Sequence, residues 1–92
     1  MVEFIYTERW GKVISRFLKS EMAVKGLRYK GLRDKLAEIG TIQSEGNLRQ
    51  KINRGQLSAQ LFIQLLIVME IKTLETSKLN QIIQHLSEDS ND

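Results

Sequence analysis

Apolar residues recur every three or four positions along most of the chain and do not alternate with polar ones over a strand's length. That period places them on one face of an α-helix, so the pattern predicts an all-α domain. Trp10, Val13, Ile14, Phe17, Leu18 and Met22 predict a first helix over about Thr7–Lys25, with Arg9, Lys12, Arg16 and Lys19 on its other face. Leu32, Leu36 and Ile39 point inward from a second helix over about Tyr29–Ile39, whose outward residues are Lys30, Arg33 and Lys35. A third helix, about Ser44–Arg54, has only Leu48 and Ile52 as anchors. A fourth runs from Ser58 to about Ile71 and is apolar nearly all the way round, as expected of a helix central to a core or shared with a second chain. Some of Ile63, Ile67 and Val68 are therefore expected to face a partner. Leu79, Ile82, Ile83 and Leu86 share one face of a fifth helix that follows Thr76 or Ser77.

Local signals agree with these boundaries. Gly26, Gly40 and Gly55 each follow an apolar-periodic segment, the place of a left-handed residue at a helix C-terminus. Ser44 and Ser58 are candidate N-caps, and Glu45 suits the positive end of the third helix dipole. Ninety-two residues suffice for one domain with its own core, expected over residues 1–87, with an acidic disordered tail over 88–92. There is no cysteine, which removes disulfides, thiolate nucleophiles and zinc clusters, and fits a cytoplasmic location. No run of about twenty apolar residues and no secretory pattern is present.

Net charge is only +3, but its distribution is uneven. Residues 9–54 hold twelve Lys and Arg against four acids, Glu21, Asp34, Glu38 and Glu45. Residues 55–92 hold Lys72 and Lys78 against five acids. A basic first half beside a mildly acidic second half is the footprint of one face meeting a polyanion, although basic faces also serve solubility alone.

The third helix sharpens that footprint. At about 100° per residue, the side opposite Leu48 and Ile52 holds Gly46, Asn47, Gln50, Asn53 and Arg54, with Arg49 and Lys51 on the flanks. Amide and guanidinium side chains have the bidentate geometry that reads base edges in a DNA major groove. Candidate base contacts are Gln43, Ser44, Asn47, Gln50 and Arg54; candidate phosphate contacts are Arg28, Lys30, Arg33, Arg49 and Lys51.

Gly26-Leu27 followed by Leu32, then Ile52-x-Arg54-Gly55-x-x-Ser58, resembles the Cro and lambda-repressor type of helix-turn-helix domain over roughly residues 10–86. The resemblance implies four or five helices, a recognition helix ending in Arg-Gly, a short loop to a capped fourth helix, and helices two to four shared between DNA docking and dimerisation. Arg33 stands where that family usually has alanine, Asn53 where it often has glutamate, and the spacing requires a longer second helix or turn. The chain is thus similar to a divergent branch of short bacterial domains carrying Asn-Leu-x-x-Lys-Ile-x-Arg-Gly.

Enzymatic chemistry is not expected. His85 is the only histidine, and Asp34 and Glu38 lie beside Arg33 and Lys35 as a surface charge pattern. No phosphate-binding glycine loop, cofactor site or metal set stands out. Three Phe, two Tyr and one Trp are few for single-strand stacking, and Tyr6 and Trp10 are expected to pack around the first helix. The sequence therefore points to a homodimeric binder of double-stranded DNA, a transcriptional regulator, dimerising through helix four or five. The alternative is a protein-interaction module, antitoxin-like or adaptor, that keeps the fold without reading DNA.

Overall fold

A computed structural model describes the backbone of residues 8–90 and the side chains of residues 8–86. Five helices follow one another: α1 Glu8–Lys25, α2 Tyr29–Glu38, α3 Glu45–Arg54, α4 Ala59–Val68 and α5 Thr76–Ser90. No strand occurs among the described residues. Helix α1 packs against α3 and α5, while α2 packs against α3 and α4. One core joins Phe17, Leu18 and Met22 of α1, Leu32 and Leu36 of α2, Leu48 and Ile52 of α3, and Leu61 and Leu65 of α4, closed by Met69. The rings of Phe17 and Phe62 meet with centroids 6.4 Å apart.

The helix starts follow from their caps. Ser44 Oγ accepts from the Asn47 amide at 3.0 Å, and Ser58 Oγ accepts from the Leu61 amide at 3.1 Å. Each satisfies one of the amides that a helix leaves open in its first turn. Helices α1, α2 and α3 end ahead of Gly26, Gly40 and Gly55, as expected.

Helix α4 ends sooner than its apolar run suggests. Val68 is its last residue, and Glu70 adopts a left-handed backbone with φ 58°. The Glu70 amide donates to Ile67 O at 3.0 Å and the Ile71 amide to Leu66 O at 2.9 Å, closing the helix as a Schellman turn. Ile71, expected to extend the helix, instead packs half-buried on the core from beyond the turn. A side chain in the left-handed region costs about 1–2 kcal/mol. Glu70→Gly is thus expected to stabilise the domain by about 0.5–1 kcal/mol after the entropy of an added glycine is set against that cost. Urea unfolding measures it, and an unchanged or lowered midpoint would contradict the turn.

Two expected core residues lie outward. Trp10 is 48% exposed, although Gly11 and Val13 beside it on α1 are buried. Ile39 is 49% exposed, because α2 ends at Glu38 and the chain turns at Gly40 before Ile39 can face inward. Tyr6 lies outside the described residues. Helix α5 continues through Ser90, into the stretch expected as a tail, and residues 91–92 are outside the described part. On α4, Leu61 and Leu65 are buried and Val68 is half-buried against the core, while Ile63 and Ile67 are 52% and 61% exposed. No helix among the described residues is long and apolar enough to cross a membrane.

Candidate nucleic-acid interface

Helix α3 is held by two fully buried side chains, Leu48 and Ile52, both 0% exposed. Its C-terminal end is held by something the apolar pattern does not reveal. Gly11 of α1 and Gly55 are both buried, and their backbones touch. A methyl group on Gly11 would run into the Arg54 carbonyl oxygen, and one on Gly55 would lie 2.7 Å from Gly11 Cα. Gly55 also sits in the left-handed region, φ 65°, with its amide donating to Ile52 O at 3.1 Å. The seam lets α1 and α3 approach without an intervening side chain. At the opposite end, α3 residues Glu45 and Arg49 share a cleft with Lys19, Met22 and Ala23 from the last turns of α1. The two helices therefore run antiparallel, close at Gly11–Gly55 and open at the cleft.

That placement sorts the expected contact residues. Asn47, Gln50 and Arg54 are exposed on α3, opposite its anchors, and the Arg54 carbonyl is fixed against Gly11 while its side chain faces outward. Ser44 is exposed, but its hydroxyl oxygen serves as the α3 cap. Gln43 is half-buried, and its amide oxygen accepts from the Lys51 ammonium at 3.3 Å, so these two side chains meet each other. Among the remaining phosphate candidates, Arg28 and Lys30 are exposed at the start of α2. Arg33 is half-buried, and its guanidinium donates through Nε and Nη2 to Asp34 Oδ1, both at 3.1 Å.

Arg49 is positioned on both sides. Its guanidinium donates to Glu45 Oε2 at 3.1 Å and lies 5.2 Å from the centroid of the Tyr29 ring. The pairing with Glu45 is a one-turn ion pair worth about 0.3–0.5 kcal/mol, and a cation over a ring near the surface adds about 0.5–1 kcal/mol. The Tyr29 hydroxyl in turn donates to Asn53 Oδ1 at 3.3 Å, so the first residue of α2 clasps the last turn of α3. Asn53 thereby leaves the free outward set.

Arg28, Lys30 and Arg49 converge on the cleft, and Lys19 joins them from α1. Helical period puts Lys19 on the face of α1 opposite its apolar stripe, where it is exposed, and gives Tyr29 no role. Their places at the cleft depend on which helix ends meet in space, which period alone does not carry. Among the described residues no group of three or more His, Asp or Glu side chains forms a metal site.

The fold and this face define an all-helical domain that presents one polar, cationic helix. The chain belongs to the family described as a domain of unknown function (DUF6471), whose model matches residues 10–74. That span holds nearly all of α1 together with α2, α3 and α4, including both glycines of the seam, and stops before α5. No curated protein and no solved structure matches the chain.

Proposed function

We propose that the domain binds double-stranded DNA with sequence preference, α3 entering the major groove as the recognition helix of a lambda-repressor-like helix-turn-helix. The observation that carries this reading is the exposure of Asn47, Gln50 and Arg54 along a helix pinned from behind by Leu48 and Ile52. Asn and Gln pair bidentately with adenine N6 and N7, and Arg with guanine O6 and N7. Arg28, Lys30 and Arg49, joined by Lys19 and Lys51, supply the surrounding charge for phosphates, which fixes orientation without reading sequence. A homodimer acting as a transcriptional regulator follows from this reading, its two recognition helices meeting half-sites about one helical turn apart.

The second reading, a protein-interaction module, is favoured by exposed apolar residues. Ile63 and Ile67 on α4, with Ile42 79% exposed in the α2–α3 connection, offer side chains that water solvates poorly. The Thr41 hydroxyl donates to Gln64 Oε1 at 3.1 Å, placing that connection beside α4. Selection of bound duplexes from a random pool, followed by a salt titration, separates the readings. A DNA binder enriches a recurring half-site and loses affinity steeply between about 50 and 200 mM salt, because its phosphate contacts release counterions. If no duplex is retained at the low end of that range, the interaction module becomes the better account.

A further inference from the structure

The open cleft at the end of the α1–α3 pair has a volume of about 570 Å³, within the usual range of about 300–1,000 Å³ for small-molecule sites. Its lining carries Lys19, Arg28, Lys30 and Arg49, and its one carboxylate, Glu45, is already bound to Arg49. Helix α2 begins there, and its N-cap residue Arg28 makes no side-chain capping bond, leaving the first-turn amides open to an anion. The rest of the lining is apolar: buried Met22, half-buried Leu27 and Tyr29, and exposed Ala23. A duplex phosphate passing over this end would use the cations and leave these apolar groups bare. A phosphate attached to a flat, largely apolar body would use both.

We propose that this cleft binds a small organic phosphate of the nucleoside monophosphate class. Its phosphate meets these cations and the α2 amides, and its base packs against the apolar part of the lining. Resting on the DNA reading for this one step, nucleotide and duplex exclude each other, because both need Arg28, Lys30 and Arg49.

Calorimetric titration of the full chain with the four nucleoside 5′-monophosphates, the matching nucleosides and inorganic phosphate tests the cleft directly. At least one monophosphate is expected to bind, one molecule per chain, about tenfold or more tighter than its nucleoside or inorganic phosphate, as two simultaneous sets of contacts require. Ala23→Trp fills the cleft from its apolar lining without altering a charge and is expected to abolish that binding, and Lys19→Ala to weaken it several-fold, while Lys72→Ala changes nothing. Circular dichroism establishes that each variant is folded, and Lys19→Ala decides the matter should Ala23→Trp not fold. Absence of monophosphate binding overturns the proposal, as does affinity equal to that of inorganic phosphate, or binding undiminished in the folded cleft variants. Duplex and nucleotide bound together would overturn the exclusion. Nucleotide binding lost in the cleft variants of a protein that retains no duplex would instead uphold the cleft and remove the DNA reading.

Discussion

Alanine at position 55 is expected to cost about 3 kcal/mol or more of folding stability, a large share of the roughly 5–15 kcal/mol that holds a domain of this kind. Two penalties combine. A side chain in the left-handed region costs about 1–2 kcal/mol, and an extra methylene-sized group in a closed contact costs about 1–3 kcal/mol. Here the obstructing atoms are the carbonyl carbon, oxygen and Cα of Gly11, which are backbone and cannot rotate aside. Gly11→Ala isolates the second penalty, since it meets the Arg54 carbonyl from within a helix, where alanine is otherwise favoured by about 1 kcal/mol. Gly46→Ala is the matched control. It lies on α3 with nothing within 4 Å of an added methyl group, and is expected to stabilise by about 1 kcal/mol. The same exchange should therefore lower the urea midpoint at 11 and 55 and raise it at 46. A wild-type midpoint for Gly55→Ala would mean that α1 and α3 do not meet there.

Removing the outward amides of α3 is expected to have the largest effect on binding. On the proposed reading, Asn47→Ala and Gln50→Ala each cost about 1–3 kcal/mol on the preferred duplex, with little change on unrelated duplexes. Both residues are exposed and neither contributes to the core, so unfolding midpoints should barely move. Arg28→Ala combined with Lys30→Ala should weaken every duplex alike and flatten the log–log salt slope by about two. Fluorescence anisotropy over a salt series reads both effects. Should Gln50→Ala leave sequence preference untouched, α3 would not be the reading element.

The parts of the fold legible in the sequence are those set by local period and caps. Leu32 and Leu36, Leu48 and Ile52, and Leu61 and Leu65 recur at helical spacing and form the core. Ser44 and Ser58 were identifiable as caps because a hydroxyl just ahead of a periodic run has few other uses. Period fails at helix ends, as at Trp10 and Ile39, which share the spacing of the core residues yet are about half exposed. It fails too where a turn is made by an unlikely residue, and Glu70 carries no mark of its left-handed backbone.

The candidate site divides the same way. The outward set Asn47, Gln50 and Arg54 follows from the position of two anchors on one helix. The Gln43–Lys51 bond, the Tyr29–Asn53 clasp and the arrival of Lys19 beside Arg28 and Arg49 are relations between separate segments. Gly11 was the least legible of all, because a glycine inside a helix reads first as a weakness.

The contact between Gly11 and Gly55 gives a criterion for recognising kin. A Cβ at Gly55 meets main-chain atoms of Gly11, and one at Gly11 meets the Arg54 carbonyl, so a homologue with a larger residue at either position must hold its first and third helices further apart. Retention of both glycines marks the sequences to which this helix spacing can be transferred, and loss of either marks those that require a fresh determination.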